Sequence, residues 1–163
     1  MDHLWTPWRS TYISGKAGKK DCIFCAAAND PAMDSENLVV YRGRLTFVML
    51  NRFPYTTGHF MISPYDHVSR LMAASEETAA EMMQIARLSE DLLERTYHPD
   101  GLNMGLNLGE AAGAGIAKHL HLHVLPRWAG DANFMTTIAH TRVMPESLAD
   151  TYIKLKEAFS TIK

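Results

Sequence analysis

Residues 118–128 read "KHLHLHVLPRW", and His119, His121 and His123 alternate strictly with Leu120, Leu122 and Val124. A period of two is the mark of an extended strand, whose successive side chains point to opposite faces. A strand over 116–126 would therefore put three imidazoles on one face and the aliphatic residues against a core. Alternate residues of a strand lie about 6.6 Å apart, so His119 and His123 stand roughly 13 Å apart. Metal–imidazole bonds of about 2.1 Å cannot span that gap from a single strand. The three histidines must therefore divide their tasks. The plainer alternative is the solvated face of an edge strand. Neutral imidazole is a competent nucleophile and protonated imidazole donates to anionic oxygens, so a row of three suits attack on phosphorus.

Working outward, two runs on either side of Gly43-Arg44, residues 38–43 ("LVVYRG") and 45–51 ("LTFVMLN"), read as a hairpin. Residues 58–64, "GHFMISP", form a third strand and 102–109, "LNMGLNLG", a fourth. Ser75 opens a long helix with Glu76 and Glu77 in its first turn, where they oppose the positive end of the dipole. Its apolar stripe is Ala79, Met82, Ile85, Ala86, Leu88, Leu92 and Leu93, and Pro99 and Gly101 end it. Pro145 starts a last helix with Leu148, Tyr152, Leu155 and Phe159 turned inward. Antiparallel strands with one long inserted helix and one closing helix make the fold class α+β, a five-stranded antiparallel sheet. The expected organisation is one domain over 1–163: an irregular arm over 1–33 packed through Trp5, Trp8 and Tyr12 or pinned by its cysteines, a core over 34–128, and a C-terminal loop and helix over 129–163. Five strands are few for a chain of this size, so a sheet edge or helix face is expected to pair two copies.

A formal net charge of −2 creates no global attraction for nucleic acid or anionic lipid, so any phosphate must be held locally. No run reaches the apolar length of a membrane span, and "MDHLWTPWRS" lacks a signal peptide's apolar core, so the expected compartment is cytoplasmic. The only cysteines, Cys22 and Cys25 in "CIFC", read in that compartment as half of a tetrahedral metal site or as a redox pair. A redox pair would open a helix after a strand in a thioredoxin-like unit, for which there is no other sign. In the loop "NLGEAAGAGIAKH", glycines let backbone N–H groups approach an anion, and an ordinary flexible turn is the alternative. Lys118 and Arg127 flank the histidines and are expected to guide substrate. Trp128 is expected either to stack on a base or to pack in the core.

The pattern His-apolar-His-apolar-His-apolar-apolar in "HLHLHVL" resembles the histidine triad superfamily of nucleotide hydrolases and transferases. "NRFPYTTGHFMISP", "LWTPWRSTYI", "GLNLG" and "HLHLHVLPRWAGDANF" resemble most closely its bacterial branch that phosphorolyses diadenosine tetraphosphate. The resemblance implies that His121 is the nucleophile carrying the nucleotidyl group, that His123 contacts the phosphate, and that His59 is the fourth histidine beside the triad. It implies that Asn51 meets ribose and that Met49 and Met61 line the base pocket, with Asn107, Ala114, Gly115 and Trp128 as further nucleotide contacts. Relatives usually carry a hydroxyl or amide side chain just after a glycine of the loop, where this chain has Ala114-Gly115-Ile116.

A subset of the superfamily also completes a Cys-x-x-Cys with the histidine of a "P-x-x-His" segment and with the first triad histidine. That implies one structural zinc per subunit on Cys22, Cys25, His67 and His119. It implies further a homodimer with a ten-stranded sheet, with pairing of dimers into tetramers left open. The implied activity is nucleotidyl transfer on dinucleoside polyphosphates, with phosphate or water as acceptor. A purine nucleoside phosphoramidase, and a nucleotide-binding module with vestigial catalysis, are the rival expectations.

Overall fold

The computed structural model describes residues 22–132, 134–138 and 143–162; Trp5, Trp8, Tyr12 and Asn133 lie outside them. The strands are β1 (Val39–Arg42), β2 (Thr46–Leu50), β3 (Phe60–Pro64), β4 (Gly101–Leu106) and β5 (Leu122–Arg127). They form one antiparallel sheet in the order β1-β2-β3-β5-β4. The helices are α1 (Ile23–Asn29), α2 (Asp34–Asn37), α3 (Glu76–Tyr97), α4 (Phe134–Thr137) and α5 (Leu148–Ser160). The α+β architecture expected from the hydrophobic periods is the one observed.

Helix α3 begins where its cap chemistry dictates: the Ser75 hydroxyl accepts the Thr78 N–H at 3.1 Å. It buries Met82, Ile85, Leu92 and Leu93 against one face of the sheet, where Leu155 and Phe159 of α5 join Val48, Leu50, Phe60, Ile62, Leu122 and Val124. The other face carries a smaller core of Phe24, Ala27, Val39, Phe47, Met49 and Met61. Directly paired residues share a face. The pairs Val39–Met49, Met49–Met61, Met61–His123 and His123–Gly105 therefore run one rung across all five strands on this second face. The histidines belong to the side of the sheet that α1 covers, away from α3 and α5.

Two expectations are corrected. The strand expected over 116–126 begins only at Leu122, so His123 lies in β5, His121 just ahead of it, and His119 in a bend. The cause is local competition for backbone partners. Leu120 N–H donates to the Val68 carbonyl at 2.6 Å and the Leu120 carbonyl accepts the Ser63 hydroxyl at 2.9 Å, which draws the chain out of the ladder. Nor is the arm irregular where it is described. Residues 23–29 are helical because Phe24 and Ala27 can both be buried on one side of a short helix, each at most 1 % exposed.

Candidate active site and metal centre

The hydrogen bonds define which nitrogen of each imidazole carries its proton. A carbonyl only accepts, so His121 Nδ1–H donates to the His119 carbonyl at 2.7 Å and the neutral ring keeps its lone pair on Nε2. His121 is 6 % exposed, and burial pushes its pKa below the usual imidazole value against a smaller upward push from that carbonyl. The ring is thus neutral at pH 7, with its lone pair on Nε2. A second chain of bonds orients His123. Tyr55 N–H donates to His59 Nδ1 at 3.0 Å, which places the His59 proton on Nε2. His59 Nε2–H donates in turn to His123 Nδ1 at 2.9 Å, leaving His123 with its N–H at Nε2. One imidazole therefore presents a lone pair and its neighbour a donor, with ring centroids 5.0 Å apart and planes at 78°.

Gly58 holds His59 in place. Its φ is +77°, and an added Cβ would lie 3.0 Å from Pro126 and 3.2 Å from the Tyr97 ring. Both the left-handed backbone and the close approach require glycine.

His119 does different work. Its Nε2–H donates to the Pro64 carbonyl at 3.0 Å, which turns the Nδ1 lone pair toward the cysteines. Among the described residues, Cys22, Cys25, His67 and His119 bring one ligand atom each within 4.8 Å of one another, close enough to hold a metal ion. His119 Nδ1 lies 3.3 Å from His67 Nδ1, 3.3 Å from Cys22 Sγ and 3.6 Å from Cys25 Sγ, and Cys25 Sγ lies 3.1 Å from His67 Nδ1. A tetrahedron built on Zn–N and Zn–S bonds has N···N edges of about 3.3 Å and S···N edges of about 3.6 Å. The donor set fits such an ion in chemistry and in spacing. Burial, with the neighbouring Cys22 as a smaller cause, pushes the Cys25 thiol up, a push that a bound divalent cation would reverse. The Cys-x-x-Cys does open a helix, but both thiols face the two imidazoles, which is the geometry of a ligand set.

The remaining expected residues divide. Met49 and Met61 sit on the site face at 7 % and 5 % exposure, within the small core under Phe24. Asn51 turns its amide nitrogen to 3.4 Å from His59 Nδ1 and accepts the Phe53 N–H at 3.0 Å. Asn107 is half-buried just beyond β4, Ala114 is buried and Gly115 exposed in the turns before His119. Trp128 falls one residue past β5, where its ring stands edge-on to Tyr97 at 6.4 Å. The Arg127 guanidinium pairs with both Asp131 oxygens at 2.5 and 2.8 Å and with Asn103 Oδ1 at 2.6 Å. Phe24 and Tyr55 were missed. Phe24 lies inside the Cys-x-x-Cys and Tyr55 four residues before His59, so adjacency to both motifs was the available signal.

The HIT domain model matches residues 33–130, more than half of the chain. The chain belongs to the HIT family. It is 41% identical over 157 residues to an AP-4-A phosphorylase from Mycobacterium tuberculosis, covering 93% of this chain and 80% of that relative. A Zn-bound HIT (histidine triad) family protein from Mycobacterium smegmatis superposes with a TM-score of 0.68 at 28% identity, covering 88% of this chain and 96% of the other. A histidine triad nucleotide-binding protein from Sulfolobus tokodaii superposes with a TM-score of 0.66 at 25% identity, covering 85% and 92%. The HIT match includes His67 and His119 but begins after Cys22 and Cys25, so half of the candidate donor set is carried by a segment outside it.

Proposed function

We propose that this HIT protein transfers a nucleotidyl group from a dinucleoside polyphosphate, diadenosine tetraphosphate in the first instance, through a covalent intermediate on His121. The observation that carries the reading is the His121 ring itself: neutral by burial, fixed at Nδ1 by the His119 carbonyl, and presenting Nε2 as the nucleophilic edge. The likeness to an AP-4-A phosphorylase supports the substrate class. Nε2 attacks the α-phosphorus, forming a P–N bond as the P–O bond to the departing ATP breaks and that oxygen takes a proton. Phosphate or water then attacks the same phosphorus, the P–N bond breaks, and the lone pair returns to Nε2. The His123 Nε2–H is placed to donate to a phosphate oxygen where charge accumulates, the term that usually dominates such reactions. Asn51 and Asn107 flank the histidines as nucleotide contacts, Met49 and Met61 lie beneath them, and the Ala114-Gly115 backbone borders the approach.

Zinc is the ion proposed for Cys22, Cys25, His67 and His119, where it would tie α1 to the segment bearing the nucleophile. Strand β4 ends the sheet with its residues exposed or half-buried and Met104 36 % exposed, so a second copy joined at this edge is the proposed assembly. Two thiols committed to a metal fit a reducing, cytoplasmic setting. Among the described residues no helix is long and apolar enough to cross a membrane.

Incubation with diadenosine tetraphosphate, with and without inorganic phosphate, tests the reading. ADP plus ATP marks phosphorolysis and AMP plus ATP hydrolysis, and His121→Asn is expected to abolish both while nucleotide still binds. Absence of turnover in the parent protein, or full turnover in His121→Asn, refutes it.

A further inference from the structure

The lone pair on His121 Nε2 and the N–H on His123 Nε2 both lie in the planes of their rings. The ring planes therefore set the direction of attack and of donation. A hydrogen bond at Nδ1 holds one edge of each ring, and a stacked neighbour holds its plane. The structure stacks one aromatic ring on each.

Phe24 stacks on His121 with centroids 4.9 Å apart and planes at 25°. Tyr55 stacks on His123 with centroids 5.8 Å apart and planes at 27°. The two aromatic rings come from different segments, Phe24 from between the two metal-binding cysteines and Tyr55 from the loop between β2 and β3. Each also meets a second imidazole at a more open angle, Phe24 with His119 at 5.0 Å and 35°, Tyr55 with His59 at 4.6 Å and 47°. Each aromatic thus lies closest to parallel with one histidine of the reacting pair, while those two histidines stand at 78° to one another. Phe24 is 1 % exposed and so is closed off from ligand. Tyr55 is half-buried, with its backbone N–H already committed to His59.

We propose that Phe24 and Tyr55 are positioning residues that lock the ring planes of His121 and His123, so that nucleophile and donor keep their mutual angle through the reaction. The proposal rests on the nucleotidyl-transfer reading for its kinetic consequence but not for its physical content. Offset-stacked aromatic pairs contribute beyond their burial, and reacting groups tolerate little angular error, so loss of one ring is expected to lower kcat about ten-fold. KM is expected to stay within about two-fold, because neither ring is assigned a substrate contact.

Tyr55 affords the cleaner test because it is only half-buried. Tyr55→Leu is expected to show the loss in kcat with diadenosine tetraphosphate, and Tyr55→Phe, which restores the ring without the hydroxyl, to rescue it. The ring C–H resonances of His123, followed by proton–carbon NMR without substrate, are expected to move and broaden in Tyr55→Leu and to return in Tyr55→Phe. Parental kcat in Tyr55→Leu, a Phe variant as slow as the Leu variant, or unmoved His123 resonances would each overturn the proposal. For Phe24, whose replacement by leucine can unfold the small core, the unmutated protein is measured instead. The His121 ring protons are expected upfield, with nuclear Overhauser contacts to the Phe24 ring, and their absence overturns that half. If the parent protein turns over no nucleotide, the functional reading fails while the NMR arms still decide whether the planes are locked.

Discussion

Replacing His59 by leucine separates two ways in which a buried imidazole can serve its neighbour. His59 is 1 % exposed and bridges Tyr55 N–H at 3.0 Å to His123 Nδ1 at 2.9 Å. Leucine is close enough in volume to leave little cavity, so the cost is mainly the two bonds, each worth about 0.5–1.5 kcal/mol net. The total of roughly 1–3 kcal/mol corresponds to a fall in Tm of about 3–10 °C for a chain of this length. Catalysis is expected to fall by more than stability alone dictates. Without His59 the His123 proton is no longer held at Nε2, which lowers the share presenting that donor by at most about two-fold. Loss of orientation costs about ten-fold, so orientation outweighs tautomer and kcat drops roughly ten- to twenty-fold. His59→Gln can still offer a donor toward His123 and is expected to fall between the parent and His59→Leu. Steady-state kinetics gives kcat, and long-range proton–nitrogen NMR of His123 reads the tautomer directly. A folded His59→Leu protein with parental kcat and an unchanged His123 nitrogen pattern would refute the relay.

Metal analysis of protein purified without chelator is expected to find about one equivalent of zinc per chain, and Cys25→Ala to lose most of it together with a measurably lower Tm. Less than about a tenth of an equivalent in the parent overturns the site. The hydrogen bond and charge of Arg127 hold the Asp131 carboxyl down at about 2. A carboxyl whose folded pKa is depressed contributes stability that is present above its unfolded value near 3.9 and lost as pH falls through the folded one. Asp131→Asn is therefore expected to lower Tm at neutral pH, with the gap to the parent closing between about pH 4 and pH 2. A gap independent of pH would show that the ion pair contributes nothing.

Helix α3 was legible from its period because it is buried on one face only, with Met82, Ile85, Leu92 and Leu93 as its stripe, whereas "TFVML" and "FMISP", buried on both faces, read as strands because they are short apolar runs bounded by turn residues. What did not show was any departure from period two that tertiary bonds impose. The alternation at His119, Leu120 and His121 persists in the residue pattern although Val68 and Ser63 take Leu120 out of the ladder, because side-chain polarity does not record where a backbone N–H is directed. Trp128 and Arg127 are a related case. Both are residue types that suit a nucleotide site, and residue type does not record the partners that the fold gives them, Tyr97 for one and Asp131 with Asn103 for the other.

The departure from the ladder is also what lets one short stretch serve two centres. His119 stands in the bend that this departure makes. Bent away, it turns its side chain to the thiols and its main-chain carbonyl to His121 Nδ1. The same residue therefore faces Cys22, Cys25 and His67 with one group and holds the His121 Nδ1 proton with another. Phe24, carried between the thiols, seals the space where the two centres meet by touching both rings. A water molecule in that space would compete for the His119 carbonyl and raise the local dielectric, favouring the charged, non-nucleophilic form of His121. The small second core thus covers the inner side of the His121 ring.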